Sequence, residues 1–280
     1  MVKKDVYMRF SVLLSLYYKE KPLYLDLALK SIFEQTVKPN QVVLILDGPI
    51  GKELLAVVSS YEKKYKSLEV FPLEINQGLS VALNIGLEKC RNELVFRMDT
   101  DDICYPNRFE RVLKEYDDFP ELEVVGSFAT MIDECGEAIQ QMSVPLKQED
   151  IYRKVWTCPF IHPTVSFKRS SLLRVGSYNP NSGPRQDDYE LWFRCVESGL
   201  KCKNIGEPLL YYRFFKDSIN RNNLKVGWWR AKVGLNGSWR CKCSPIAYLG
   251  VCYPLVRACM PSFVRGLMYK LSDMLNPRMK

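Results

Sequence analysis

Leu94-Val95-Phe96-Arg97-Met98-Asp99-Thr100-Asp101-Asp102 takes a mostly apolar run straight into three carboxylates. An apolar run of this kind fits a strand buried on both faces of a parallel sheet. In open α/β sheets the ligand crevice lies beyond the carboxyl ends of such strands. Crowded like charges repel, so the cluster calls for a cation or polar ligand to compensate it. Carboxylates in D-x-D spacing are hard oxygen ligands suited to Mg²⁺ or Mn²⁺, ions commonly shared with phosphates. The competing reading makes them caps for a helix after Pro106, a role for which one Asp would suffice.

Upstream, the same logic gives three more strands separated by helices. Residues 10–16 and 41–46 are apolar runs, and 68–71 is a shorter one. Between the first two, Pro22 opens a helix with Leu25, Ala28, Leu29, Ile32 and Phe33 on one face. A second helix carries the stripe Leu54, Val57, Val58, Tyr61 and Tyr65, and a third runs from Asn76 to near Cys90. This β-α-β-α-β-α-β order predicts a parallel sheet with helices on both faces. Downstream the pattern loosens. It suggests helices over 106–116, 148–156 and 187–197, strands over 122–125, 129–132 and 163–167, and a last apolar segment at 208–214. Neither a G-x-x-x-x-G-K-[ST] loop nor a G-x-G-x-x-G turn occurs, which removes the main support for P-loop and dinucleotide-binding readings.

Charge divides the chain. Residues 216–280 hold twelve Lys/Arg against Asp217 and Asp273, a balance of +10, which leaves −2 for residues 1–215 of the total of +8. That predicts two units: a compact α/β domain over 1–215 and a basic, aromatic-rich, helical region over 216–280. A basic tail can meet anionic lipid, nucleic acid or an acidic partner. Trp228, Trp229, Trp239, Tyr248 and Tyr253 among aliphatics and Lys/Arg suit a helix lying in a membrane interface, with a flap packed on the domain as the alternative. No apolar run is long enough for a transmembrane helix. The ten cysteines show no disulfide or zinc framework beside the single His162, and Met1 to Tyr7 does not read as a signal peptide. A cytoplasmic setting with reduced thiols is the expectation.

Four segments stand in an informative order: Ser31-Ile32-Phe33-Glu34-Gln35-Thr36; Asp47-Gly48; Asn76-Gln77-Gly78-Leu79 with Ala82, Asn84 and Gly86; and Asp99-Thr100-Asp101-Asp102. Further on come His162-Pro163-Thr164, Val175-Gly176-Ser177-Tyr178, Asp187-Asp188-Tyr189-Glu190-Leu191-Trp192 and Glu207-Pro208-Leu209 ending in Tyr212-Arg213. With these the chain resembles family 2 inverting glycosyltransferases of the GT-A fold, the bacterial O-antigen, capsule and exopolysaccharide type, over roughly residues 9–215. The resemblance implies a Rossmann-like, mostly parallel sheet flanked by helices. It implies a nucleotide-sugar donor, with UDP-sugar favoured, an Mn²⁺ or Mg²⁺ ion, and a lipid-linked oligosaccharide acceptor at the cytoplasmic face of the inner membrane. No nucleic-acid partner is expected.

Residue by residue, Asp47 matches the family's strand-end acid that contacts the nucleotide base, though Asp-Gly is also a common turn. Asn76 and Gly78 match a loop on the nucleotide side. Leu83 stands where the family often has Arg. Asp99 matches the acid facing ribose and metal, and Asp101 the ligand of the metal that bridges the diphosphate, with Asp102 auxiliary or capping. Asp188 matches the catalytic base of a Glu-Asp step, Asp187 standing where Glu is usual; helix N-terminal acids are the alternative. His162 matches a His-Pro step and reads better as a hydrogen-bonded structural residue. The Gln-x-x-Arg-Trp signature of processive members is missing, which favours one sugar per encounter. A nucleotidyltransferase would carry a glycine-rich basic loop where Leu16-Tyr17-Tyr18-Lys19-Glu20 stands. A degenerate, weakly active or inactive nucleotide-binding scaffold in a polysaccharide assembly complex would be expected to lose its acids, whereas Asp47, Asp99, Asp101 and Asp188 all remain.

Overall fold

Strand β1 (Phe10–Leu16) lies at the middle of a parallel run, between β2 (Gln41–Leu46) and β4 (Leu94–Arg97), with β3 (Leu68–Pro72) outside β2. Its alternation sorts the side chains between two layers, as period 2 requires. Phe10, Val12, Leu14 and Leu16 meet α1 (Pro22–Phe33) and α2 (Lys52–Lys64) on one face, while Leu13 faces α3 (Leu79–Lys89) on the other. The same split places Val42, Leu44 and Leu46 on the first face and Val43 and Ile45 on the second. Every residue of β2 is buried, which explains a run with no polar alternation. Helix α3 lies close to the sheet at Gly86, where an added Cβ would stand 2.2 Å from Leu13 Cδ1 and 3.1 Å from Ile45 Cγ1.

The structure, a computed structural model, describes residues 8–215 and 223–260. Beyond β4 the sheet continues through β8 (Ser166–Lys168), β6 (Val124–Ile132), β9 (Cys202–Arg213) and β5 (Ile103–Cys104), and β7 (Ala138–Met142) pairs with β6. In this half β4–β8, β8–β6, β6–β7 and β9–β5 are antiparallel and only β6–β9 is parallel. Parallel pairing is thus concentrated in the first half, where helical crossovers enforce it. Helices α4 (Arg108–Asp118), α5 (Gln148–Arg153), α6 (Arg169–Arg174) and α7 (Asp187–Glu197) complete the covering layers.

Several boundaries depart from the sequence reading, each with a local cause. The segments at 122–125 and 129–132 are one strand, because Gly126 and Ser127 pair with Asn204 and Ile205 of β9. Strand β9 in turn starts at Cys202, well before Pro208; register shifts beside Phe128 let it continue past Gly206. His162–Thr164 forms a 3₁₀ turn before β8, consistent with Pro163 having no N–H for a ladder. Helix α3 starts at Leu79 rather than Asn76, since Gly78 sits at φ +87°. Strands β5 and β7 and helix α6 have no counterpart in the sequence reading.

The basic region supplies α8 (Leu224–Arg240) and α9 (Pro245–Cys259), and none of the helices among the described residues is long and apolar enough to cross a membrane. The N-terminal expectation for residues 1–7, and the parts of the tail at 216–222 and 261–280, lie outside the described residues. No disulfide joins the cysteines.

Candidate active site

The acids that end β4 are not helix caps. Helix α4 begins at Arg108 after Asn107, which makes no side-chain cap bond, and the carboxylates of Asp99, Asp101 and Asp102 gather instead. One oxygen from each lies within 4.8 Å of the others. Burial, then the negative charge of Asp99 and of Glu20, pushes Asp101 up to about 8. Burial and its acidic neighbours likewise hold Asp102 well above the usual carboxylate range. Glu20, in the loop after β1, accepts a 2.7 Å hydrogen bond from Thr100 Oγ1 and is itself raised, first by burial. Four carboxylates therefore share one strand edge.

Two arginines answer this charge. Arg97, a cation inside an otherwise apolar strand and 2% exposed, forms a fork on both oxygens of Asp99, with Nη1 to Oδ2 at 2.6 Å. Bidentate pairing fixes the carboxylate's orientation as well as its charge. Arg213, at the end of β9, donates through its backbone N–H to Asp102 Oδ1 at 2.8 Å and through Nε to the Asp101 carbonyl at 2.9 Å. Its Nη1 reaches the carbonyls of Asp133 and Glu134, and its guanidinium lies 4.2 Å over the Tyr24 ring.

A divalent cation fits this set. The donors are hard carboxylate oxygens with convergent geometry, the suite that Mg²⁺ and Mn²⁺ prefer. Asp102 Oδ2 is buried without a hydrogen-bond partner among the described residues, an arrangement that ordinarily costs about 1–3 kcal/mol. A positive ion beside Asp99 and Asp101 would offset the repulsion that adds to burial in raising Asp101.

Asp99 also forms part of the wall of a cavity of about 310 Å³. Arg97, Leu79, His162, Arg185, Asp187, Asp188 and Tyr212 line it too. The two aspartates are the first residues of α7, where acids face the positive helix end. Their environments differ. Asp187 accepts a short hydrogen bond from Ser80 Oγ and is held above the usual range by burial. Asp188 accepts from the Tyr189 N–H at 2.8 Å and from the Cys158 thiol at 3.5 Å. His162 Nε2 lies 2.8 Å from the Tyr178 hydroxyl, and burial together with Arg97 keeps the ring neutral. It is the hydrogen-bonded histidine expected from the sequence, and it also faces the cavity.

Asp47 follows β2 directly and organises the neighbouring loop. Its carboxylate accepts the backbone N–H groups of Gln77 at 2.7 Å and Gly78 at 3.0 Å, and Asn76 Nδ2 donates to its carbonyl at 3.0 Å. The loop leads into Leu79 on the cavity wall, and Ser80 ties the start of α3 to Asp187. The structure thus brings Asp99, Asp187 and Asp188 to one cavity, with Asp101 on its acidic flank and Asp47, Asn76 and Gly78 on the adjoining loop.

The chain has known relatives. The family model described as Glycosyl transferase family 2 matches residues 11–176. The chain belongs to glycosyl transferase family 2. It is similar to the amylovoran biosynthesis glycosyltransferase AmsE of Erwinia amylovora, at 37% identity over 78% of this chain and 80% of the relative. It is also 36% identical, over 76% of this chain and 77% of the relative, to the Escherichia coli UDP-Gal:alpha-D-GlcNAc-diphosphoundecaprenol beta-1,3-galactosyltransferase. Among solved structures it resembles S. aureus TarS 1-349 in complex with UDP-GlcNAc, with a TM-score of 0.66 at 16% identity over 96% of this chain and 76% of that one. It spans 45% of a longer TarS chain. These likenesses establish a glycosyltransferase with the GT-A fold.

In this family 2 glycosyltransferase several motif residues are struts around the site. Gln35 donates to the Tyr105 carbonyl at 2.7 Å and accepts from the Phe109 N–H at 3.2 Å, fixing the chain just after the acid cluster. Asn84 brackets Tyr178 through its N–H and carbonyl, and Tyr178 holds His162. The sequence reading gave no role to Arg97, Glu20, Arg185 or Tyr212. For Arg97 a signal was present: a charged residue inside a buried strand needs a partner. For Glu20, Arg185 and Tyr212 no local pattern marks the approach, which comes from the fold.

Proposed function

We propose that this glycosyltransferase transfers one sugar, with inversion, from a UDP-sugar to a lipid-linked oligosaccharide in bacterial surface polysaccharide synthesis. It would work at the cytoplasmic face of the inner membrane with Mn²⁺ or Mg²⁺. The observation that carries the reading is that one cavity is lined by Asp99, Asp187 and Asp188 together. The relatives lend support: one is named for a UDP-Gal donor and a diphosphoundecaprenol-linked acceptor, another for amylovoran synthesis, and the TarS fragment was solved with UDP and with UDP-GlcNAc.

In this reading Asp47, Asn76 and Gly78 receive the nucleotide. Asp47 accepts a uracil N–H with a lone pair left over from its bonds to Gln77 and Gly78. Asp99 and Asp101 would hold the metal ion, which supplies charge neutralisation for the departing diphosphate. Arg97 keeps Asp99 oriented. Asp188 takes the proton of the acceptor hydroxyl as its oxygen bonds to the anomeric carbon. The bond from that carbon to the diphosphate oxygen breaks, and its electron pair leaves with UDP.

Thermal unfolding with a panel of nucleotides tests the donor assignment. UDP with Mn²⁺ is expected to raise the midpoint more than GDP, ADP or dTDP diphosphates at equal concentration, since native-state ligands stabilise by mass action. Equal shifts for all, or none with UDP, would remove the UDP assignment.

A further inference from the structure

The outer face of the α8–α9 pair carries apolar side chains that the domain does not cover. Leu224, Trp228, Leu235 and Trp239 fall within about 60° of arc on α8 at 3.6 residues per turn. Trp228 is 59% exposed and Trp239 73%. On α9, Ile246, Leu249 and Val256 share about 80° of arc, with Leu249 75% exposed. These are not the side chains that seat the helices. Seating uses other positions: Gly237 closes on Phe193 of α7, Gly250 on Trp156 and Gly183 on Trp229, while Gly227 and Gly234 meet Leu255 and Val251 between the helices. The packing contacts occupy only the inner side of the pair, and the outer stripe is left over.

From this surplus we propose that the outer face of α8 and α9 is the docking surface for an anionic lipid bilayer. The partner is chosen by charge and residue type. Residues 223–260 contain six Lys/Arg and no Asp or Glu. Lys225 and Lys232 are exposed and border the α8 stripe on the next 40° of arc, and Lys242 is exposed in the turn between the helices. Indoles and aliphatics flanked by lysine, with no acid, match the interfacial helix pattern and the negative surface of a bacterial inner leaflet. A protein partner would call for no such exclusion of acids. The choice of a bilayer rests on the lipid-linked acceptor proposed above.

Position relates the surface to catalysis. Trp229, next to Trp228, packs on Gly183, and Arg230 lies 4.1 Å over the Tyr189 ring, one residue from Asp188. Tyr189 in turn donates to the Trp156 carbonyl at 2.9 Å. The docking helices thus flank the Asp187–Asp188 side of the cavity, from which the acceptor hydroxyl must approach. A bilayer held there presents a lipid-linked acceptor to the base side.

The test is flotation of the full chain with vesicles of phosphatidylglycerol and phosphatidylethanolamine, against phosphatidylcholine alone. The wild type should float with the anionic vesicles and lose binding as salt rises. The triple variant Trp228→Gln, Trp239→Gln, Leu249→Gln should lose at least tenfold in partitioning with an unchanged thermal midpoint and unchanged UDP release from a UDP-sugar in water. Its KM for an acceptor embedded in vesicles should rise while kcat holds. A wild type that stays unbound, or a variant that floats equally well, overturns the docking surface. So does a concentration-dependent dimer, seen by sedimentation, that the variant abolishes: the occupant is then a second copy. Flotation by a chain that transfers no sugar to any soluble or lipid-linked acceptor keeps the surface and sinks the proposed function alone.

Discussion

Asp188→Asn is expected to lower sugar transfer by about 10³-fold while UDP binding stays within a factor of two to three, the range that loss of a general base commonly gives. The substitution is nearly isosteric, and the amide oxygen can still accept the Tyr189 N–H that Asp188 Oδ1 holds at 2.8 Å. A fold defect is therefore not the expected cause. Asp187→Asn supplies the control. Its Oδ1 is already committed to Ser80, so Asp187 is placed to brace α3 against α7 rather than to take a proton. Its loss should cost less activity and more stability than the change at 188. Steady-state kinetics and thermal unfolding on both variants decide the matter, and the reverse ranking would exchange their roles.

Asp101→Asn should move stability and activity in opposite directions. Asp101 titrates near 8 in the fold against an ordinary value of 3.8, because burial and the neighbouring acids disfavour its charge. The fold thus keeps a proton that the unfolded chain has lost. The contribution of Asp101 to metal-free stability consequently falls as pH rises from about 4 to about 8, and levels off above. The amide removes that loss, so the variant's midpoint in EDTA at pH 8 should exceed that of the wild type. At about 2–4 °C per kcal/mol for domains of 150–250 residues, the difference is measurable. Transfer should fall by about 10³-fold, as expected when several kcal/mol of Lewis-acid stabilisation are lost. Mn²⁺ should stabilise the wild type at pH 8 and the variant much less. A variant less stable than the wild type in EDTA would contradict the electrostatic picture of this edge.

The legible parts of this chain are those where one physical signal dominates. Strands β1 and β2 and helices α1 and α7 stand where apolar periodicity alone places them, because each buries one clear face or run. The second half of the sheet was harder. Strand β6 contains Gly126, where β9 comes so close that a Cβ would lie 2.2 Å from Asn204 Oδ1, and β9 runs through Gly206 and Pro208. Locally these residues resemble breaks, and only their mutual pairing makes them strand. At the site, the gathering of Asp99, Asp101 and Asp102 could be read from spacing, and so could the acids opening α7. The different hydrogen-bond surroundings of Asp187 and Asp188 could not, since they come from Ser80 and Cys158, far away in sequence. Arg97 carries its own signal: its place in a buried strand implies a carboxylate partner, and Asp99 is that partner.

Metal-dependent transfer from a UDP-sugar is most directly tested by following UDP release from a panel of UDP-sugars before and after EDTA treatment, with undecaprenyl-diphosphate-linked saccharides as acceptors. The account predicts release from one preferred UDP-sugar that rises with acceptor, stops on chelation and returns with Mn²⁺, forming a linkage of inverted anomeric configuration. Release that survives chelation, or a product that retains the donor's configuration, would contradict it.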